Sequence, residues 1–493
     1  LVGSEMCIRD RVDEGDYTFS IFCDDSSESG EFIMLDEFKK QTNVDVDLKI
    51  YPYETATERL NLDLNSGDYA DVIGGWTLSD NAILTYGVNQ GVFIPLEDYF
   101  EKYCPNISAI LDLPGVREKM TAPDGHIYTI PYVCADATVG YSPYINTKWL
   151  ENVGMSMPTT TDEFEAVLKA FKEQDANGNG DASDEIPFST DPNNKHIEAM
   201  AGYFGLPMNK LGIAIQNEKV VYGGVSDTYR EFLSWFHKLY AEGLVDVELY
   251  TQDSSTWEGK GNQDLYGVSI AYGSNEFTGI PAAEERGDFD SMPVLNTDKD
   301  GIWLRDTEGF SVYRTQAVIT NKAEHPEIIC RWFDNAFALE NGIGCNRGPV
   351  GVIVNKEDDG YHAIDTTTLS EEDQEKYSWG NLWPQSLPKY LPADFEFVEE
   401  HPMYDEKKAT EEAYEANLTK EIIPSYWIDL DKIDTFSDTN TAIKDFFEQQ
   451  QAQFVCGELD IDNDADWKAY VDGMYSLGLE DWVATQGIEE IAK

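Results

Sequence analysis

The stretch that decides the fold class lies near the start of the chain, where residues 17–75 read YTFSIFCDDSSESGEFIMLDEFKKQTNVDVDLKIYPYETATERLNLDLNSGDYADVIGG. It contains three strand-like runs that alternate with two segments of helical apolar spacing, in the order 17–23, 31–42, 44–51, 55–66 and 70–75. The loops between these segments are short, and Gly67 is placed to end the second helix. This strand–helix–strand–helix–strand order predicts an α/β lobe.

The alternation of helix and strand patterns continues toward the other end of the chain. Helical apolar spacing recurs at residues 146–153, 161–173, 228–242, 326–338, 440–456 and 466–477. Strand patterns recur at residues 265–272 and 316–320. Residues 378–392 read SWGNLWPQSLPKYLP, an aromatic stretch interrupted by prolines that predicts irregular structure.

Length and charge restrict the classes of protein that remain. The chain has 493 residues, which corresponds to roughly two to three domains. Its 93 acidic and 35 basic residues give a net charge of −58, which opposes binding to nucleic acid because phosphate recognition needs a basic surface. No apolar run reaches the roughly 18 residues that span a bilayer. The seven cysteines form no C-x-x-C pair and there are six histidines, so no zinc site is predicted.

The first residues differ from the text that follows them. Residues 1–11 read LVGSEMCIRDR, which has no periodicity and resembles a translated adapter sequence. We therefore expect residues 1–15 to be an adapter scar and a disordered start. On this interpretation the natural beginning of the chain, with any signal peptide, is missing from the sequence.

One acidic turn has the residue spacing of a calcium-binding loop. Residues 175–188 read DANGNGDASDEIPF, in which side chains with oxygen atoms alternate before a glycine. Ca²⁺ takes about six to eight oxygen ligands, and this spacing points such oxygens inward. We predict one structural Ca²⁺ ion held by Asp175, Asn177, Asn179, the backbone carbonyl of Asp181, Asp184 and Glu185. The loop departs from an EF-hand because Ile186 stands where the closing glutamate belongs, and the alternative is a solvated acidic turn.

The same loop and its flanks carry a resemblance to a known family. Residues 145–188 read INTKWLENVGMSMPTTTDEFEAVLKAFKEQDANGNGDASDEIPF. This segment resembles sequences of the bacterial extracellular solute-binding protein family 1, the binding lipoproteins of carbohydrate ABC importers. It is most similar to the large calcium-containing subgroup with alginate-oligosaccharide-binding proteins. Weaker matches follow in the family's order at residues 71–75, 91–96, 121–131, 239–246, 317–333 and 457–470.

The resemblance covers the chain from about residue 16 and has two departures in the calcium loop. Ala176 stands where the family has proline, and one additional residue, Ala182 or Ser183, precedes the closing acidic pair. The family implies an α/β fold of the two-lobed periplasmic-binding-protein type II (venus-flytrap) class, with multiple hinge crossings. We expect residues 16–140 and about 305–365 to form the N-terminal lobe. We expect residues 141–304 and about 366–493 to form a more helical C-terminal lobe that carries the calcium loop.

A sugar site uses aromatic rings against the C–H faces of the ligand and planar polar groups against its hydroxyls. Trp76 follows the apolar strand 70–75 directly and is the leading candidate. Strand ends, loops and the irregular stretch supply the full set of candidates, which are Trp76, Tyr132, Tyr272, Trp379, Trp383, Asp24, Asp25 and Asp136. The alternative for each aromatic residue is a structural role in a core or loop. For each acidic residue it is an incidental place among 93 acids.

The resemblance implies an extracellular, cell-surface (or periplasmic) bacterial lipoprotein that captures an oligosaccharide between two lobes and delivers it to ABC importer permease subunits. We expect a monomer, held to the membrane only by a lipid anchor that this sequence lacks. The net charge of −58 favours a neutral oligosaccharide, because it repels polyanions. A glycoside hydrolase, which needs two carboxylates across a cleft, and a sugar sensor or adhesin stay open as alternatives. We predict no enzyme activity because the chain has no G-x-S-x-G, H-E-x-x-H or phosphate-loop motif.

Overall fold

The computed structural model describes residues 17–25, 31–191, 196–279, 287–392, 394–398 and 402–492. The predicted adapter scar and disordered start at residues 1–15 lie outside these residues. Within the described part, the strands are β1 (Tyr17–Asp24), β2 (Val44–Tyr51), β3 (Val72–Gly74), β4 (Thr129–Ala135), β5 (Ser142–Asn146), β6 (Ile186–Thr190), β7 (Ile213–Gln216), β8 (Lys219–Tyr222), β9 (Tyr266–Ala271), β10 (Phe289–Ser291), β11 (Phe310–Ile319), β12 (Val354–Glu357), β13 (Gly360–Ala363) and β14 (Glu490–Ile491).

The α-helices fall between these strands and after them. In the described residues they are α1 (Ile33–Thr42), α2 (Tyr53–Ser66), α3 (Asp80–Ala82), α4 (Glu97–Tyr103), α5 (Pro105–Leu111), α6 (Val116–Met120), α7 (Thr147–Val153), α8 (Thr161–Glu173), α9 (Asp227–Ala241), α10 (Ser254–Asn262), α11 (Asn275–Thr278), α12 (Pro326–Asp334), α13 (Leu339–Arg347), α14 (Glu371–Lys376), α15 (Pro402–Tyr414), α16 (Ile433–Cys456), α17 (Asp464–Ser476) and α18 (Leu479–Thr485). None of these described helices is both long enough and apolar enough to cross a bilayer.

The chain divides into two compact units and passes between them several times. Unit 1 contains the described residues of 1–136, 309–399 and 425–433, and unit 2 contains those of 137–308, 400–424 and 434–493. The structure therefore places 366–399 and 425–433 in unit 1, whereas we expected them in the C-terminal lobe. The reason is packing, because Trp383 and Leu387 are buried in the same core as the strands of unit 1.

The central sheet of unit 1 has the strand order β2-β1-β3-β11-β4. β1 runs parallel to β2 and β3, as the repeated strand–helix pattern at residues 17–75 predicts, whereas β11 is antiparallel to β3 and β4. Apolar residues such as Ile21, Val72 and Ala317 are fully buried in this sheet. The late strand β11 enters the middle of the sheet, so unit 1 requires two distant parts of the chain.

Unit 2 is built on a sheet of order β10-β5-β9-β6, in which β6 and β9 are parallel and the other pairs are antiparallel. The aromatic core beside it includes Trp149, Phe164, Phe171 and Phe236, all fully buried. The helix predicted at residues 161–173 is present with the same bounds, and Thr160 caps it by accepting a hydrogen bond from the backbone N–H of Glu163.

Candidate functional site

Trp76 lies where two parallel strands of unit 1, β1 and β3, finish at the same edge of the sheet. The carboxylate of Asp24 accepts hydrogen bonds from the backbone N–H groups of Trp76 (2.9 Å) and Thr77 (2.5 Å) and from the Thr77 hydroxyl. Gly75 has a φ of 136°, and a Cβ there would collide with the same carboxylate. Asp24 thus holds the turn, and the Trp76 side chain extends from it with 44% of its surface exposed.

Three rings form the group that we call the aromatic cluster: Trp76, Tyr132 and Tyr313. Tyr132 and Tyr313 are partners in the β4–β11 register, and their rings stack with centroids 5.5 Å apart and an interplanar angle of 21°. The ring centroid of Trp76 lies 5.2 Å from that of Tyr313, edge to face, and 6.5 Å from that of Tyr132. Aromatic pairs at such distances stabilise each other by about 0.5–1.5 kcal/mol. The cluster is therefore a supported apolar surface with one exposed indole.

Polar groups lie directly beside the aromatic cluster. The Tyr313 hydroxyl donates a hydrogen bond to Asp136 (2.8 Å), and the Tyr132 hydroxyl donates one to the side-chain carbonyl of Asn346 (3.4 Å). Burial raises the pKa of Tyr313, and the charge on Asp136 raises it further. Asp136 is partly exposed and accepts hydrogen bonds, as the group that receives a sugar hydroxyl must.

The two tryptophans of the irregular stretch 378–392 differ completely in their burial. Trp379 is 54% exposed, whereas Trp383 is fully buried in the core of unit 1. The ring of Trp383 lies 5.1 Å from that of Phe38 and 5.6 Å from that of Trp332. Trp383 thus has no surface to offer a ligand, contrary to our expectation, and it anchors the stretch from which Trp379 projects.

Two of the acidic candidates also face inward rather than toward solvent. Asp24 is fully buried and Asp25 is 3% exposed, and Asp25 accepts a hydrogen bond from the backbone N–H of Gln385 (2.7 Å). Burial raises the pKa of Asp24, and the hydrogen bonds from Thr77 and Trp76 partly offset that rise. Both carboxylates therefore fix neighbouring backbone segments from inside unit 1. This corrects the expectation that they bind sugar hydroxyls directly.

Tyr272 immediately follows β9 in unit 2, at the end of a buried strand, and is 37% exposed. The Nζ atom of Lys407 lies 4.0 Å from the Tyr272 ring centroid and donates a hydrogen bond to the Tyr272 carbonyl (2.7 Å). The ring of Tyr141 lies 6.1 Å from that of Tyr272 and stacks on His196 at 4.0 Å. Unit 2 thus has its own group of aromatic rings around Tyr272, one of the candidate sugar contacts predicted from the sequence.

The predicted calcium loop folds so that its amide and carboxylate groups converge. Asn177 and Asn179 donate side-chain hydrogen bonds to the two carboxylate oxygens of Asp184, at 3.3 and 2.7 Å. The backbone N–H of Gly180 donates to Asp175 Oδ2 (3.0 Å), and that of Ala176 donates to Glu185 Oε1 (2.9 Å). Asp184 and Glu185 therefore still contact the other residues of the loop, despite the additional residue before them.

Two carboxylate oxygens in this loop are buried without a hydrogen-bond partner: Asp175 Oδ1 and Glu185 Oε2. A buried anionic oxygen without a partner is costly unless a cation lies beside it. Burial raises the pKa of Glu185, and the neighbouring charge of Asp184 adds to the rise. The Asp181 carboxylate instead accepts hydrogen bonds from Ser183, which leaves its backbone carbonyl for a metal. The donors present are hard oxygen atoms and fit Ca²⁺.

Several residues of these groups were not predicted from the sequence. They are Tyr313, Lys389 and Asn346 in unit 1, and Tyr141, His196 and Lys407 in unit 2. Tyr313 sits in the strand pattern preceding residue 316, and extending that strand by three residues would have found it. The lysines had no local signal, because only tertiary packing brings them to the rings.

Known proteins share sequence similarity and the fold with this chain. A family model described as bacterial extracellular solute-binding protein matches residues 26–342. The fructooligosaccharide ABC transporter substrate-binding protein FusA of Streptococcus pneumoniae is 34% identical over 332 residues, which are 65% of this chain and 60% of that protein. The aligned part of the chain thus spans about three fifths of the length of that curated relative.

Solved structures extend the similarity over nearly the whole chain. The structure of S. pneumoniae FusA in complex with kestose has a TM-score of 0.83 at 26% identity, covering 95% of this chain and 98% of that one. A FusA EF-hand mutant in complex with fructo-nystose has a TM-score of 0.81 at 27% identity, with the same coverage. Alginate-binding protein AlgQ2 without calcium ion has a TM-score of 0.76 at 23% identity, covering 96% of this chain and 98% of that one. The fold is therefore the two-lobed solute-binding class that the sequence predicts.

Proposed function

The chain belongs to the bacterial extracellular solute-binding protein family, and on that premise we propose that it is the substrate-binding component of an ABC importer for oligosaccharides. The observation that carries the proposal is the aromatic cluster, in which buried Asp24 holds Trp76 half-exposed beside Tyr132 and Tyr313. Such a ring covers the apolar face of a sugar, while Asp136 accepts hydrogen bonds from its hydroxyls. Trp379 and Tyr272 are further proposed contacts because both are exposed at strand ends or turns.

We take a neutral fructooligosaccharide as the first ligand class to test. FusA is a fructooligosaccharide-binding protein by name, and kestose is bound in one of its structures. The net charge of −58 also disfavours polyanionic sugars at long range. The delivery of the ligand to permease subunits, a lipid anchor at the cell surface and a monomeric state belong to the same proposal.

Isothermal titration of kestose tests the proposal directly. We expect saturable binding to the wild-type protein, and we expect Trp76→Ala to weaken it by about 2 kcal/mol, because central aromatic contacts contribute most to affinity. Tyr475→Ala is the matched control, since Tyr475 is an aromatic residue of α17 with a similar exposure of 42%. Equal weakening by both variants, or binding of acidic oligosaccharides in place of neutral ones, would contradict the proposed site or ligand class.

Recovery of the ligand after incubation separates binding from catalysis. A binding protein returns kestose intact, and we expect complete recovery by chromatography after prolonged incubation with excess protein. Release of fructose would favour a glycoside hydrolase, which requires an acid and a second carboxylate around the scissile bond.

We also propose that the loop from Asp175 to Glu185 binds one Ca²⁺ ion with a structural role. The support is the pair of unpartnered buried oxygens, Asp175 Oδ1 and Glu185 Oε2, in a loop that offers further oxygens from Asn177, Asn179 and Asp184. Ca²⁺ would supply positive charge to these oxygens and tie the end of α8 to the start of β6. An EF-hand mutant of FusA and a calcium-free form of AlgQ2 are known among the similar structures.

A further inference from the structure

Lys389 is a buried cation directly behind the aromatic surface of unit 1. It is 1% exposed, and its Nζ atom donates a hydrogen bond to Gln385 Oε1 (2.7 Å). Among the residues that the structure describes, no carboxylate forms an ion pair with it. Burial of an ammonium group without an ion-pair partner destabilises the fold. Other interactions must therefore offset this cost.

The rings of two proposed sugar contacts lie around this ammonium group. Its Nζ atom is 5.0 Å from the ring centroid of Tyr132 and 6.0 Å from that of Trp379. Both distances are within the range of a cation–π interaction, which strengthens when water is excluded. One charge therefore faces two rings that come from distant parts of the chain.

The hydrogen bonds around Lys389 connect the same residues through the backbone. Gln385 donates from its side-chain amide to the carbonyl of Trp379 (3.0 Å) and from its backbone N–H to Asp25 (2.7 Å). The backbone N–H of Val133, next to Tyr132, donates to the carbonyl of Lys389 (3.0 Å). Lys389 is thus tied to β4 on one side and to the turn that carries Trp379 on the other.

We propose that Lys389 is a positioning residue whose positive charge holds Tyr132 and Trp379 in the orientation that binds the sugar. The inference rests on the proposed function for its ligand, but the arrangement of the two rings can be measured without ligand. It follows that sugar affinity depends on the protonation of a side chain that the sugar does not need to touch.

The charge on Lys389 changes within an accessible pH range. Burial lowers its pKa to about 8, and the charge of Arg347 lowers it further, whereas the charge of Asp25 opposes the shift. Burial raises the pKa of Cys134 to about 12 and that of Cys345 also well above its ordinary value, so both thiols stay neutral over this range. As pH rises through about 8, Lys389 becomes neutral and its attraction for the two rings is lost.

Kestose titrations from about pH 6.5 to about pH 9.5 test the inference. For the wild-type protein we expect Kd to rise about threefold to tenfold across this range, the factor that loss of such cation–π contacts predicts. Lys389→Met removes the charge and should give a weak, pH-independent Kd. Lys356→Met is the matched control, because Lys356 also faces a tyrosine ring in unit 1 (Tyr361, 5.5 Å) but is exposed and paired with Glu340.

Near-ultraviolet circular dichroism of the ligand-free proteins provides a second readout. We expect the aromatic signal of wild type and Lys356→Met to change with a midpoint near pH 8, and that of Lys389→Met to stay constant. Parallel pH profiles in wild type and Lys389→Met, by either method, would overturn the inference. If kestose binds none of the proteins, the fructooligosaccharide proposal fails while the dichroism still decides the role of Lys389. If Lys389→Met does not fold, the wild-type profiles decide it, and a flat profile in both methods contradicts it.

Discussion

At the scale of single residues, Asp24 shows how one buried anion sets the position of an exposed ring. Its carboxylate accepts hydrogen bonds from two consecutive backbone N–H groups and from the Thr77 hydroxyl, so the turn after β3 is fixed at Trp76. The same contacts explain why Gly75 is required, since a side chain there would occupy the carboxylate's position. The position of Trp76, a proposed ligand contact, therefore depends on a fully buried residue.

The substitution Asp24→Asn tests this dependence. An amide cannot accept all three hydrogen bonds, and leaving a buried donor unpaired costs about 1–3 kcal/mol. We expect a lower melting temperature together with kestose affinity at least about tenfold weaker, as measured by calorimetry, because Trp76 loses its fixed position.

Asp71→Asn is the control for that variant. Asp71 precedes β3 at its other end and accepts hydrogen bonds from the backbone N–H and the hydroxyl of Ser20, both at 2.8 Å. We expect it to lower stability while leaving kestose affinity unchanged. Equal loss of affinity in the two variants would show that Asp24 acts only through the stability of the sheet.

At the scale of elements, we predict that Ca²⁺ binding to the acidic loop between α8 and β6 stabilises the folded protein. At a free calcium concentration one hundred times Kd, binding to the folded state adds about 2.7 kcal/mol to the free energy of unfolding. We therefore expect EDTA to lower the melting temperature of the wild-type protein in a thermal scan. Since no sugar contact is proposed in this loop, chelation should leave the order of preference among oligosaccharides unchanged.

Variants in the loop locate the effect. Asp175→Asn and Glu185→Gln each neutralise a carboxylate that has an unpartnered buried oxygen, so both should abolish most of the calcium-dependent shift. Asp181→Asn should retain it, because the Asp181 side chain bonds to Ser183 and only its carbonyl is assigned to the metal. A calcium shift that survives Asp175→Asn and Glu185→Gln would place the ion elsewhere.

At the scale of the whole molecule, the net charge of −58 should limit stability. Most ion pairs in the described residues are exposed, such as Lys39–Asp45 and Lys468–Asp472, and exposed pairs contribute about 0–1 kcal/mol each. Added salt shortens the Debye length from about 10 Å at 0.1 M to about 3 Å at 1 M and so screens repulsion among the acids.

We therefore expect the melting temperature, measured in excess Ca²⁺, to rise by about 2–4 °C between low salt and about 0.5 M NaCl. Sucrose at equal osmolality controls for general exclusion from the protein surface. A melting temperature that is unchanged or lower in salt would show that self-repulsion does not limit this fold.

The sequence by itself determined the order of strands and helices at residues 17–75, the α/β class and the family, and it also predicts the calcium loop. These features are local, because apolar periodicity and turn residues act within a few positions, and the bounds of α8 and β2 agree with the patterns that predict them. The position of Trp76 just after β3 could also be predicted from local sequence, because Trp76 follows an apolar run directly.

Only the tertiary structure decided which of the candidate side chains face solvent. Trp379 and Trp383 stand four positions apart in one irregular stretch, yet Trp379 is 54% exposed and Trp383 is fully buried. Trp383 packs against Phe38 and Trp332 in the core of unit 1. Asp24 and Asp25 are likewise turned inward by bonds to Thr77 and Gln385. Lys389 reaches Tyr132 from 257 positions away in the chain, a separation that local patterns cannot bridge, because packing brings the two side chains together.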